Sequence, residues 1–288
     1  MMDMIFLKRL AIGLGILFQS GAAQTLCYLS PVNGFWQVVQ RNLDGTGRKV
    51  LTSTAFDKKD PVFHPDGKRV FYSGINHGLY SVDISTGAEI EAKGAMTGTR
   101  GLKFSQRGDR VLYYRARTDA NDQSEIWIAD SAFKNPVQVV SRPGLQRYPD
   151  GNADFSVIVY LSGRSTTGHD LWIYRTREDK HFRITNDMTT EGPPALSPTG
   201  ESAVFPSAPL ASYGLYLTSI QDPLPEPILH TETSILEVTW LNSENLLCTF
   251  MVPNAEPQLA KVDLKAKSFL KLAWEEAHGI RSPSIRRP

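Results

Sequence analysis

The feature that most constrains the fold is a short turn between two apolar runs, which recurs along the chain. In the stretch DPVFHPDGKRVFYSG (60–74), Pro65, Asp66 and Gly67 separate two runs of aromatic and β-branched residues. Proline fixes φ, aspartate can accept a hydrogen bond from the backbone ahead of it, and glycine tolerates positive φ. The stretch is therefore predicted to be a β-hairpin.

The same hairpin pattern returns four more times, with steps of 41 to 47 residues between equivalent turn positions. The copies are LKFSQRGDRVLYY (102–114), PDGNADFSVIVYL (149–161), PALSPTGESAVFP (194–206) and VTWLNSENLLCTF (238–250). An alternating third strand and a short fourth strand follow each hairpin. Steps of about 40–50 residues are typical of propeller blades. A β-sandwich also has evenly spaced strands, but it does not explain why one turn chemistry returns at nearly fixed steps.

The two ends of the chain complement each other. LCYLS (26–30) matches the second strand of a unit, and SPSI (282–285) matches the first strand DPVF (60–63). We therefore predict that the C-terminal strand completes the first blade and leaves no open seam in the ring. The predicted fold class is all-β: a single six-bladed β-propeller of four-stranded blades over residues 24–288.

Residues 1–23 are predicted to be a secretory signal peptide. Lys8 and Arg9 precede the apolar run Leu10–Phe18, and small residues up to Ala23 offer a cleavage site. The run is shorter than the roughly 20 apolar residues of a membrane-spanning helix, so no transmembrane segment is expected after cleavage. The expected location is periplasmic or extracellular, and the alternative is an uncleaved anchor.

The charge balance argues against a partner recognised by bulk electrostatics. Lys8, Arg9 and Asp3 leave with the signal peptide, so the 31 basic and 30 acidic side chains of the full chain become 29 of each. A protein with no net charge is not expected to bind nucleic acid or an anionic membrane by its overall field.

The two cysteines are predicted to be free and buried. Cys27 and Cys248 both align with Phe71 of the repeat. Equivalent middle-strand positions in neighbouring blades lie on the order of 10 Å apart, whereas a disulfide needs Cα atoms within about 7 Å. Both thiols should therefore pack as small apolar side chains.

The repeats resemble those of TolB-type, WD-like β-propellers of exported bacterial proteins. PVFHPDGKRVFYS (61–73), LYSVDISTG (79–87) and QVVQRNLDGTGRKVLT (37–52) carry the resemblance, which covers nearly all of residues 24–288. It is specific for architecture and weak for activity. TolB itself has an additional N-terminal α/β domain, for which this sequence has no room. The resemblance implies a rigid platform for other proteins.

Two histidines raise an enzymatic alternative. His77 and His169 share a repeat position, each in the loop before a third strand. Oligogalacturonate lyases, which are similar exported propellers, use histidines around a metal at the funnel mouth. Two equivalent histidines fall short of a ligand set, and the other interpretation is that both are polar loop residues. The sequence has no H-E-x-x-H metal motif and no G-x-S-x-G nucleophile motif.

An acidic loop is the other candidate metal site. Asp119 and Asp122 lie in RTDANDQSE (117–125), and carboxylate oxygens are calcium ligands. Their spacing does not match an EF-hand loop, and a solvated acidic loop is the alternative. No cofactor is predicted, with calcium or another divalent metal left open.

One equivalent position of the aligned repeats predicts a binding surface. The residue two positions before the hairpin proline begins each innermost strand at the funnel rim, and it is a cation in four successive blades. These cations are Arg281, Lys59, Arg100 and Arg147. The remaining two blades have Gly192 and Leu236. A basic arc around a concave mouth favours a carboxylate or an acidic segment, because low-dielectric walls strengthen the attraction. Alternatively, these positions are cationic only because they are exposed.

Together these features predict an exported, non-enzymatic propeller. It would bind a protein or peptide partner, or form part of an envelope complex, and would favour an anionic group at the funnel. Loops positioned by a rigid scaffold are where such binding is expected. The alternative is a propeller enzyme of the lyase or lactonase type, with a funnel-bound metal and a carbohydrate-like substrate.

Overall fold

The structure is a computed structural model that describes residues 24–117, 123–164, 168–186, 190, 192–208, 213–272, 274 and 280–286. The described residues form six four-stranded antiparallel sheets, so the prediction of six blades is confirmed. The innermost strands contact one another in a closed cycle, which makes the sheets the blades of a propeller.

The first three blades are made from both ends of the chain and from its N-terminal half. Blade 1 contains β24 (Arg281–Ile285), β1 (Thr25–Val32), β2 (Phe35–Asn42) and β3 (Lys49–Val50). Blade 2 contains β4 (Lys58–Phe63), β5 (Arg69–Gly74), β6 (Leu79–Asp83) and β7 (Glu89–Glu91). Blade 3 contains β8 (Thr99–Phe104), β9 (Arg110–Ala116), β10 (Ser124–Asp130) and β11 (Val137–Val140).

The last three blades follow in chain order. Blade 4 contains β12 (Leu145–Gly151), β13 (Val157–Arg164), β14 (Gly168–Arg175) and β15 (Lys180–Arg183). Blade 5 contains β16 (Ala195–Leu196), β17 (Ser202–Ser207), β18 (Gly214–Ser219) and β19 (Glu226–His230). Blade 6 contains β20 (Ile235–Trp240), β21 (Asn245–Val252), β22 (Ala255–Asp263) and β23 (Ser268–Lys271). No helix of the described residues is long and apolar enough to cross a membrane.

The turns between first and second strands have the predicted chemistry. In blade 2 the Gly67 N–H donates to the His64 carbonyl, Gly67 has φ +67°, and the Asp66 carboxylate accepts the Lys68 N–H. Blade 4 lacks the turn glycine, and Phe155 occupies that place with φ +57°. Its ring is buried in the core between blades 3 and 4. Burial of an aromatic side chain therefore offsets the unfavourable left-handed backbone.

Aromatic side chains of the second strands fill the space between neighbouring blades. They share one repeat position and are all fully buried: Tyr28, Tyr72, Tyr113, Tyr160 and Phe205. Each packs against strands of the preceding blade, as Tyr72 does against Cys27 and Leu29 of blade 1. Burial of such large apolar areas is the main term that holds the ring together.

The C-terminal strand closes the ring as the sequence predicts. β24 pairs antiparallel with β1, with Leu26 opposite Ile285 and Cys27 opposite Ser284. The Arg286 N–H extends this ladder by donating to the Thr25 carbonyl. Because the partner strand covers the inner edge of β1, no unpaired edge remains there.

Both cysteines are free and buried, which confirms the prediction. Cys27 packs in the core between blades 1 and 2, and Cys248 packs in the core between blades 5 and 6. Burial raises the pKa of both thiols, so each stays protonated and unreactive in the folded state.

Candidate functional site: the channel mouth

The propeller axis contains a cavity of about 260 Å³. All six blades contribute to its wall. One lining residue from each blade is Ser282, Asp60, Lys103, Tyr148, Pro194 and Glu237, in order from blade 1 to blade 6. The cavity is thus surrounded by strands of all six blades, and a concave, preformed site of this kind is where a ligand is expected.

A shared backbone irregularity shapes the channel wall. Asp60, Gly101, Tyr148 and Ser282 occupy one repeat position and have φ between +50° and +60°. In each of the four blades the register between the innermost and second strands shifts at this position. Such a β-bulge re-aims the bulged residue, and all four of these residues line the cavity.

The four predicted cations directly precede these bulge residues, at or near the start of the innermost strands. Lys59 and Arg281 are exposed, whereas Arg100 and Arg147 are half-buried. The Arg281 guanidinium lies 4.3 Å from the centre of the Trp36 ring. The four cations thus hold equivalent positions in four contiguous blades, next to the lining of the cavity rather than in it.

Two channel carboxyls, Asp60 and Glu237, were missed by the sequence analysis. Burial raises the pKa of Asp60, although the charges of Arg100 and Lys59 and a hydrogen bond from the Gly101 N–H oppose this rise. Burial also raises the pKa of Glu237 to about 7, and the nearby charge of Asp60 adds to the rise. Both acids occupy the repeat position directly after the cations, so an alignment of the repeats at that position would have revealed them.

Glu237 also joins blade 6 to the closing strand of blade 1. Its carboxyl accepts the Ser282 N–H at 2.6 Å and the Ser282 hydroxyl at 3.0 Å. Asp150 makes a similar link between blades 4 and 5, because its buried carboxylate accepts the Leu196 N–H at 3.0 Å. Acidic side chains near the axis therefore connect neighbouring blades.

The predicted histidine positions differ from each other in the structure. His77 lies in the loop between β5 and β6 and stacks on Phe56, with ring centres 4.2 Å apart. His169 lies within β14, opposite Gly163, rather than in the loop before that strand. The prediction that both histidines lie in loops is therefore wrong for His169. Strand β14 begins at Gly168, so His169 is part of the strand and pairs with β13.

The candidate metal ligands are not brought together in the part of the chain that the structure describes. There, no group of three or more His, Cys, Asp or Glu side chains is placed to hold a metal ion. Asp119 and Asp122 lie outside the described residues, so their calcium site stays a prediction.

Comparisons with known proteins identify the fold and leave the activity open. No protein-family model matches the sequence, and no curated protein matches it. TolB from Acinetobacter baumannii is 16% identical with a TM-score of 0.76, covering 91% of this chain and 66% of that one. A chain of a nidogen–laminin complex is 10% identical with a TM-score of 0.74, covering 92% and 98%.

An enzyme has the same fold. An oligogalacturonate lyase in complex with manganese is 11% identical with a TM-score of 0.64, covering 88% of this chain and 74% of that one. This chain spans 66% of the length of the Acinetobacter TolB. At these identities the likeness concerns architecture alone. The molecule is a six-bladed β-propeller similar in fold to the propeller of TolB.

Proposed function

We propose that this protein is an exported, non-enzymatic propeller that binds a protein or peptide partner over the channel mouth, with residues 1–23 as its signal peptide. The observation that supports the proposal is the position of four cations in contiguous blades, each of which directly precedes a residue that lines the axial cavity. A concave, rigid and charged opening suits recognition of a protruding segment, because the scaffold loses little entropy on binding.

The basic arc favours a partner segment that carries a carboxylate. The cations of the arc belong to blades 1 to 4 in the order Arg281, Lys59, Arg100 and Arg147, and the half-buried pair Arg100 and Arg147 is the less hydrated half of the arc. Charges in a partly desolvated cleft interact more strongly than charges on an open surface. The nidogen–laminin complex, in which a protein of this fold is found with a protein partner, supports the same use of the scaffold.

Crosslinking in intact cells followed by mass spectrometry tests the proposal. The double variant Arg100→Ser/Arg147→Ser should bind the captured partner about 10-fold more weakly at low salt, since two cations leave the mouth. Arg107→Ser is the matched control, because Arg107 is exposed in the β8–β9 turn at the far end of the innermost strand. Equal affinity of the two variants would contradict a role for the arc.

Metal analysis separates this proposal from the enzymatic alternative. A lyase or lactonase with a funnel-bound metal should retain manganese, calcium or zinc in stoichiometric amount after purification. A metal-free protein that still captures a specific partner would support the binding platform.

A further inference from the structure

Two further cavities adjoin the axial channel on the side of blade 6. A second cavity of about 400 Å³ shares Leu236, Glu237 and Ser282 with the channel wall. A third cavity, of about 640 Å³, shares Met251, Ala255 and Glu256 with the second. The three cavities therefore adjoin one another in a row from the axis toward the β21–β22 turn. We call the second and third cavities together the blade-6 groove.

The β21–β22 hairpin supplies half of the residues that line the blade-6 groove. Strand β22 has nine residues and pairs with β21 up to the two-residue turn Pro253-Asn254, with Val252 opposite Ala255. The Met251 N–H donates to the Ser234 carbonyl at 2.9 Å, which ties the end of the hairpin to the segment before β20. A groove held by backbone hydrogen bonds on both sides is preorganised for binding.

The lining of the groove combines apolar surface with negative charge. Met251 is 38% exposed, and Pro253 is exposed beside it. Glu232 and Glu256 are exposed carboxylates of the outer part, and Glu237 lies at the inner end where the groove meets the channel.

The opposite side of the mouth has the reverse charge. Lys59, Arg100 and Arg147 belong to blades 2 to 4, whereas the equivalent positions of blades 5 and 6 are Gly192 and Leu236. Arg281 is the cation that lines the groove among the described residues, and its guanidinium lies over the Trp36 ring. The rim is therefore mainly basic over blades 2 to 4, where Asp60 offsets part of the charge, and the groove beside blade 6 combines two exposed glutamates and apolar surface with the single cation Arg281.

We infer that the blade-6 groove binds an extended peptide segment of the partner that carries lysine or arginine next to apolar residues. This inference rests on the proposed function and adds the orientation of the bound partner across the face of the propeller. The aliphatic stems of basic side chains pack on surfaces such as Met251 while their charged ends reach the carboxylates of Glu232 and Glu256. An acidic part of the same partner then lies over blades 2 to 4.

A phage-displayed library of random 12-residue peptides, selected on the purified protein at low salt, tests this inference. Enriched peptides should contain basic and apolar residues. Their affinity for the variant Glu232→Lys/Glu256→Lys should fall about 10-fold or more, since two attractive charges become repulsive. Glu226→Lys is the matched control, an exposed glutamate on outer strand β19 of the neighbouring blade, and it should change the affinity less than about 2-fold.

The other outcomes separate the two proposals. Acidic peptides that lose affinity in Arg100→Ser/Arg147→Ser but not in Glu232→Lys/Glu256→Lys would overturn the groove inference and leave the proposed function standing. Basic peptides that bind Glu232→Lys/Glu256→Lys and Glu226→Lys equally well would also overturn the inference. If the folded protein enriches no peptide above its heat-denatured form, both proposals fail.

Discussion

Blades 1 and 2 contain the same four-stranded unit, but their innermost strands reach the sheet in different ways. In blade 2, β4 continues into β5 through the tight turn at Gly67. In blade 1, β24 comes from the other end of the chain and is held to β1 by hydrogen bonds and packing alone. The comparison shows two ways to hold an innermost strand. In blade 2 a short turn joins it directly to its partner in sequence, whereas in blade 1 contacts between the two ends of the chain must hold it.

Contacts from blade 6 compensate for the missing turn in blade 1. The Glu237 carboxyl accepts both the backbone N–H and the hydroxyl of Ser282, and Cys27 has the Ser284 hydroxyl as a hydrogen-bond partner. Polar side chains thus add to the backbone ladder and the apolar packing that close this propeller ring. Three measurements test this comparison, in order of decreasing effect.

Removal of residues 280–288 should have the largest effect. Without β24 the inner edge of β1 loses its partner, and apolar surface between blades 1 and 6 becomes exposed to water. We expect the loss of a large part of the about 5–15 kcal/mol that stabilises a typical domain. Urea denaturation followed by tryptophan fluorescence measures the change.

A synthetic peptide of residues 280–288 provides the control for this deletion. Added in excess, it should restore much of the lost stability by pairing with β1. An unchanged denaturation midpoint after the deletion would show that the ring does not need its closing strand.

The two cysteines offer a matched pair with an intermediate effect. Cys248→Ser places a hydroxyl in an apolar core, which should cost about 1–3 kcal/mol. Cys27→Ser should cost less, because the Ser284 hydroxyl of the closing strand lies within hydrogen-bond reach. The difference in the free energy of unfolding measures this link between β1 and β24. An equal or greater cost for Cys27→Ser would contradict it.

The sequence predicts the architecture well because the turn chemistry is local and repeated. The Pro-Asp-Gly turn and its copies set the blade length, and the match between residues 282–285 and 60–63 predicts the closure. Phe155 was not predicted at a left-handed turn position, because only the packed structure shows the buried site that holds its ring.

The site is harder to predict because its chemistry joins distant parts of the chain. Asp60 and Glu237 come from blades 2 and 6, and only the closed ring places Asp60 close enough for its charge to raise the pKa of Glu237. The blade-6 groove likewise depends on how the β21–β22 hairpin stands beside β20 and β24. Repeat columns reveal which residues are equivalent, whereas they do not show which ones share a cavity.

The smallest effect concerns the ionisation of Glu237. Its folded-state pKa is raised to about 7, mainly by burial, above its ordinary value of 4.5. The folded protein therefore binds the extra proton between about pH 4.5 and 7, so the stabilising contribution of Glu237 is fully present below pH 4.5 and is lost as the pH rises through 7. With allowance for water in the channel, this change should amount to about 1–2 kcal/mol.

Glu237→Gln isolates this contribution. The amide does not titrate, and it can still accept the Ser282 N–H while donating to the Ser282 hydroxyl. The free energy of unfolding of Glu237→Gln relative to the unsubstituted protein should therefore rise between pH 4.5 and 7 and then level off. Urea denaturation of both proteins across this range measures the difference, in which the titration of other groups largely cancels. A constant difference would show that the Glu237–Ser282 contact does not depend on protonation, and a falling difference would show that the ionised carboxylate is the stabilising form; either result contradicts the prediction.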